Sequence, residues 1–169
     1  EVTGKTDAQT AGGNIKLKSG GDEAILKTSG GNIQVGKAGG ETKASTAGGN
    51  ITVETAEQKI SVKTSGGNIN LGTLKAETEA DTAGGGITIQ SAEGKVAAKS
   101  SGGNIRIAAA HEAVSASTAA GGVSVAFQDQ PKEDCKLSSS GGDITVTMPE
   151  NLAFNLEAST GGGNIRTDI

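Results

Sequence analysis

The chain has 169 residues and a formal net charge of -4; apolar residues make up only 33% of it, and the sole aromatics are Phe127 and Phe154. Charges of both signs are interspersed without a basic patch or tail, which excludes nucleic acid as the expected partner, and no apolar run approaches the roughly 20 residues of a membrane-spanning helix. Large side chains are too scarce for a conventional globular core of this length, and the 28 glycines show no Gly-X-Y period, so collagen is excluded as well.

The glycines return at a fixed step. In chain order, one pattern recurs at Thr10 to Leu17, Thr28 to Val35, Thr46 to Val53, Thr64 to Leu71, Thr82 to Ile89 and Ser100 to Ile107. It is clearest as Thr64-Ser65-Gly66-Gly67-Asn68-Ile69-Asn70-Leu71. Looser copies run from Thr118 to Val125, from Ser139 to Val146 and from Thr160 onward. The step is 18 residues from Thr10 through Thr118 and three residues longer in each of the last two intervals. A short fixed period over a whole chain is the signature of a solenoid, whose stacked units share a narrow core of small and branched side chains. Regular Ile-x-Val pairs set it apart from a disordered Gly-rich chain.

Each unit holds two alternating runs. Lys59-Ile60-Ser61-Val62-Lys63-Thr64 alternates, Ser65-Gly66-Gly67 interrupts, and Asn68-Ile69-Asn70-Leu71 alternates again. Period-2 alternation over such lengths predicts half-buried strands, with the glycines as corners that supply backbone conformations other residues avoid. Parity predicts the inward columns. After the glycines they run from Ile15 and Leu17 through Ile69 and Leu71 to Ile144 and Val146. Before the glycines they run from Thr6, Ala8 and Thr10 through Ile60, Val62 and Thr64 to Cys135, Leu137 and Ser139, then Leu156, Ala158 and Thr160. Stacked in register these columns form parallel sheets.

A second period, twice the first, lies on top of it: Ala follows the Thr at Ala11, Ala47, Ala83 and Ala119, whereas Ser follows at Ser29, Ser65 and Ser101. Two coil lengths compete. In 36-residue coils Lys27, Lys63 and Lys99 would stack directly, placing like charges opposite one another. In 18-residue coils Ser45 and Asp81 separate them, and a few small inward residues fill a narrow coil. The expected fold is therefore all-β, a single-stranded parallel β-helix of about nine 18-residue coils forming one domain over residues 1–169, with the 36-residue coil as the alternative. The two insertions lie near Phe127 to Asp134 and near Met148 to Asn151, and their prolines, Pro131 and Pro149, favour turns. Such insertions form loops on one side of a solenoid, serving either as a C-terminal cap or as a binding face.

No catalytic, cofactor-binding or metal-ligating residue is assigned. Phosphate loops need a helix after the glycines, and no helical spacing follows here. Calcium-binding β-rolls carry an acid at each corner, whereas Asn14, Asn32, Asn50, Asn68 and Asn104 stand there, with only Asp143 acidic. The Asn column is read as corner geometry, since Asn tolerates left-handed backbone and its amide can bond a neighbouring turn. The Thr column is read as hydroxyls that satisfy one another or nearby carbonyls. His111 stands alone in a turn, and one His with Cys135 cannot make a metal site. Cys135 has the parity of an inward column, so it is expected to be buried and inert rather than a nucleophile. Glu77, Glu79 and Asp81 form the densest outward row of carboxylates, the pattern a groove-acting glycosidase would need, but a solvated polar face accounts for it.

The Ser/Thr-Gly-Gly-Asn-Ile-x-Val units, separated by Gly-x-Val-x-Ala-x-Thr-like strands, resemble the bacterial β-solenoid family classed as adhesins, a domain of unknown function. The resemblance covers nearly the whole chain. It implies an exported or cell-surface β-helical domain and carries over no catalytic residues. No signal peptide or anchor is seen, and the chain starts at Glu1 inside a repeat, so upstream residues are expected to have been removed. The expected function is a non-enzymatic surface or periplasmic module that contacts a surface protein or glycan without a cofactor. End-to-end polymerisation through the unpaired strands of the solenoid ends is the alternative, and a carbohydrate-active enzyme is the third reading.

Overall fold

A computed structural model describes residues 3–168; Glu1, where the first repeat is interrupted, lies outside the described residues. In chain order the first strands are β1 (Thr6–Thr10), β2 (Ile15–Gly20), β3 (Ala24–Thr28), β4 (Ile33–Ala38), β5 (Thr42–Thr46) and β6 (Ile51–Ala56). They continue as β7 (Ile60–Thr64), β8 (Ile69–Leu74), β9 (Thr78–Thr82), β10 (Ile87–Ala92), β11 (Val96–Ser100) and β12 (Ile105–Ala110). The last are β13 (Val114–Thr118), β14 (Val123–Phe127), β15 (Cys135–Ser139), β16 (Ile144–Thr147), β17 (Leu156–Thr160) and β18 (Ile165–Asp168). No helix occurs among the described residues. Odd-numbered strands form one 9-stranded sheet and even-numbered strands a second, each in simple sequential order.

Register decides the coil length. Ile51 pairs with Ile69, and Ile69 with Ile87, in parallel ladders. A regular coil is thus 18 residues with one strand in each sheet, the last two steps being 21, and the 36-residue alternative is overturned. Lys63 lies beside Ser45 on one side and Asp81 on the other, so the like-charge stack of the longer coil is avoided. Nine strands per sheet at about 4.8 Å give a rod roughly 43 Å long.

The core is the set of columns that parity predicts. Leu26, Ile33, Val35, Ile51, Ile60, Ile69 and Ile87 are all at most 1% exposed. Burying each such side chain stabilises the fold by about 1.5–3 kcal/mol. One column escapes the parity rule. In β4, Ile33 and Val35 face in, Lys37 is exposed, yet Ala38 is buried. The ladder between β4 and β6 pairs every residue of β4 except Gly36. The register is the same on both sides of Gly36, so adjacent coils share a kink there that turns the strand end inward, and Ala56, Leu74, Ala92 and Ala110 follow the same path.

The two kinds of corner are built differently. At the Gly-Gly-Asn corner, Thr64 donates its hydroxyl to the carbonyl of Gly49 at 2.8 Å and accepts the N–H of Gly67 at 3.2 Å. The same link recurs from Thr28 to Thr160, with Ser100 and Ser139 standing in for Thr. Beside it, the carboxamide oxygen of Asn50 accepts the N–H of Asn68 at 2.7 Å. Asp143 does the same for Asn164. The expected left-handed backbone is not used: no described residue has positive φ. The second glycine is needed for close approach instead. A Cβ on Gly67 would lie 2.1 Å from the Gly49 carbonyl oxygen, whereas one on Gly66 would meet nothing nearer than 3.5 Å.

The opposite corner carries ion pairs and, near the C-terminal end, both insertions. Glu57 bridges Lys37 at 3.6 Å and Lys75 at 2.9 Å. Phe127 replaces the small Ala110 of the coil before it and is 1% exposed. Phe154, from the second insertion, packs on it with ring centroids 4.9 Å apart and planes tilted by 56°. Met148, Leu152 and Leu156 are half-buried against the same core. In the last coil Ile165 is 46% exposed.

Candidate functional site

The outward faces of both sheets are regular and polar, with depressions along them, and a cleft walled by an inserted loop lies where the repeat is interrupted. The segment from Gln128 to Asp134 leaves β14, stands over the corner and returns to β15. Lys132 reaches back to Glu112 at 2.6 Å, and Lys95 forms an ion pair with Glu133 from two coils away. Gln130 is held to Ala153 of the second insertion, with the Ala153 N–H donating to its Oε1 at 2.9 Å. Asn155 donates to Asp134 at 2.9 Å. These contacts fix a wall against the outer face of the odd-numbered sheet.

Between wall and sheet runs a cleft in two joined parts. The first, about 240 Å³, has Ala97, Ala113 and Ser115 as its floor and Glu77, Lys95 and Glu133 as its sides. The second, about 580 Å³, is bounded by Lys136, Phe154, Asn155 and Glu157. Ser115 and Asp134 line both. A floor of small side chains with charged, hydrogen-bonding sides can hold a polar partner, and concave places with few polar groups are where ligands bind.

Electrostatics along the cleft is one of paired charges. Hydrogen bonding to Glu133 raises the Lys95 ammonium above its ordinary value, and hydrogen bonding to Glu112 does the same for Lys132. The Glu112 carboxyl is held below its usual range by Lys132.

The carboxylate row lies on and beside β9, with each member answered by the coil before it. Lys59 contacts Glu77 at 3.0 Å, Ser61 donates to Glu79 at 3.4 Å, and Lys63 contacts Asp81 at 3.2 Å. Only Glu77 reaches the cleft. Cys135 is buried with Leu137 on the inward face, as parity requires, and burial pushes its thiol up. His111 is not alone: Asp129 of the first insertion lies 2.5 Å from its Nδ1. Sequence reasoning missed that partner because only the path of the loop brings it there. Pro131 of the first insertion is buried, whereas Pro149 of the second is exposed.

The cleft floor was also missed. Its traces in the sequence are two small outward residues, Ala97 and Ser115, ahead of the first insertion. Among the described residues no three His, Cys, Asp or Glu side chains gather as metal ligands. No helix is long and apolar enough to cross a membrane.

No curated protein and no solved structure matches the chain. A family model described as Toastrack DUF4097 matches residues 3–169, so the chain belongs to the Toastrack DUF4097 family of β-solenoid domains of unknown function.

Proposed function

We propose that this domain is a non-catalytic binding module of the bacterial envelope, an adhesin or interaction scaffold working outside the cytoplasm. Its contact site is the cleft beside the two inserted loops. The observation that carries this reading is the pinned wall from Gln128 to Asp134. A loop serving only as a cap would need Phe127 and Phe154 over the core. Here the loop also spends Lys95 and Glu112, on two different earlier coils, to stand beside an open floor of small residues. The partner is a surface protein or a surface glycan.

The non-catalytic reading is supported by the carboxylate row. Glu77 and Asp81 are each tied to a lysine of the preceding coil. General acid–base chemistry needs a positioned titratable group that is available to the substrate, and two of the three carboxylates are already engaged by lysines.

The test is binding of the intact protein to immobilised envelope glycans and envelope proteins, compared with Ser115→Arg. Ser115 faces outward, so the variant fills the cleft floor and leaves the core intact. Loss of capture with unchanged melting temperature is expected. Undiminished capture by Ser115→Arg would overturn the assignment of the cleft.

A further inference from the structure

The charges that border the loop cleft do not balance. Carboxylates enter it from Glu77, Glu133, Asp134 and Glu157, but ammonium groups only from Lys95 and Lys136. Both lysines are already matched: Lys95 pairs with Glu133, and Lys136 lies 3.3 Å from Glu157. Glu77 is matched from outside the cleft by Lys59, at 3.0 Å. Asp134 is the exception. It makes no ion pair among the described residues, and its side chain is held only by the Asn155 amide, which donates to Oδ1 at 2.9 Å. With Ser115 it stands where the two parts of the cleft join. Each carboxylate spends a single oxygen on these contacts: Oε1 of Glu77 and of Glu133, Oε2 of Glu157 and Oδ1 of Asp134. The second oxygen of each remains as an acceptor.

We infer that the cleft takes an arginine side chain from an extended basic segment of a protein partner, with the guanidinium against Asp134 and Phe154. The inference rests on the cleft being the contact site. Charge selects first. A neutral sugar laid over Asp134 would strip water from a carboxylate and leave it unanswered, a cost that a cation removes. An anion would have to take a lysine from Glu133 or Glu157. A divalent cation lacks its cage, since no three such side chains gather as metal ligands among the described residues. Hydrogen-bond supply selects next. A guanidinium carries five donors and no acceptor, the complement of a cleft with carboxylate oxygens to spare. Its flat, weakly hydrated plane also stacks on aromatic rings, and Phe154 supplies a ring in the second part. The two joined parts, about 240 and 580 Å³, leave room for the residues that flank the arginine. The wall is set before the partner arrives, because Lys132 is held to Glu112 and Gln130 to Ala153, so binding has little left to order.

The experiment is a fluorescence-anisotropy titration of the intact protein, at low salt, into labelled capped peptides of alternating glycine and arginine, with lysine or citrulline in place of arginine in two further peptides. Citrulline keeps the shape of arginine and loses its charge. The arginine peptide should bind at least about tenfold tighter than the citrulline peptide, and tighter than the lysine peptide. Asp134→Asn keeps an oxygen for Asn155 and removes the charge. It should weaken the arginine peptide about tenfold or more, at unchanged melting temperature. Glu54→Gln removes the same charge from an exposed carboxylate on the other sheet and should leave the titration as it was. Chitotriose, a neutral glycan, should not displace the peptide. Absent binding, equal affinity for the citrulline or lysine peptide, indifference to Asp134→Asn, an equal loss in Glu54→Gln, or displacement by chitotriose would each overturn the inference. If no peptide binds while Ser115→Arg still abolishes envelope capture, the cleft stands and only its arginine occupant is wrong. If capture survives Ser115→Arg, the cleft falls and this inference with it.

Discussion

The hydroxyl of Thr64 donates across 2.8 Å to the carbonyl of Gly49 in the preceding coil. Through that bond a buried polar column becomes part of the stacking itself, because the same hydroxyl accepts from Gly67 N–H. Thr64→Val keeps the shape and removes both partners. Leaving two buried main-chain groups unpaired should cost about 2–4 kcal/mol, whereas Thr64→Ser, the substitution already present at Ser100, should cost much less. Denaturant unfolding of the two variants measures the difference.

Gly67 and Gly66 are neighbours with opposite tolerance. Gly67→Ala would push a methyl to 2.1 Å from the Gly49 oxygen, so the two coils must part. The expected cost is several kcal/mol. Gly66→Ala should be nearly neutral, since Ala120 already occupies the equivalent place before Gly121. Equal melting temperatures for the two variants would refute close approach as the reason for the second glycine.

Asn50 is a bracket between coils, accepting from Asn68 N–H at 2.7 Å on an exposed edge. Asn50→Ala should cost about 1 kcal/mol. Asn50→Asp should cost less, because Asp143 makes the equivalent bond to Asn164. Thermal melting distinguishes the two.

The loop clamp should depend on pH in a fixed sense. Lys132 holds the Glu112 carboxyl low, and Glu112 raises the Lys132 ammonium. A carboxyl lowered on folding stabilises the fold above its unfolded value and ceases to as pH falls through the folded one. An ammonium raised on folding stabilises below its unfolded value and ceases to as pH climbs through the folded one. The clamp is therefore complete between the ordinary carboxylate and lysine ranges, about pH 4 to pH 10, and fails beyond them. The melting-temperature gap between wild type and Glu112→Gln should be present at pH 7 and should close as pH falls below about 4.

Much of the fold was legible because the side-chain period of a strand leaves no freedom. Ile69 in and Asn70 out follow from alternation alone, and the stacking of Ile51 on Ile69 follows from where lysines can sit. Ala38 was not legible, since a kink at Gly36, shared by neighbouring coils, breaks the alternation that would have put Lys37 inside. The glycines were placed correctly but for another reason: φ stays negative, and the constraint is the carbonyl of the coil before. The cleft was the least legible part. Lys95 and Glu133 are 38 residues apart, and nothing periodic links a strand residue to an inserted loop. For the same reason His111 gained a partner, Asp129, that no spacing announced.

The central claim is binding without catalysis, and one measurement meets it directly. Purified protein is incubated with a panel of acidic and neutral glycans while released reducing ends are followed over time. The account predicts no release above a protein-free blank, including on glycans that the protein retains. Sustained turnover that disappears when Glu77→Gln, Glu79→Gln and Asp81→Asn are combined would contradict it.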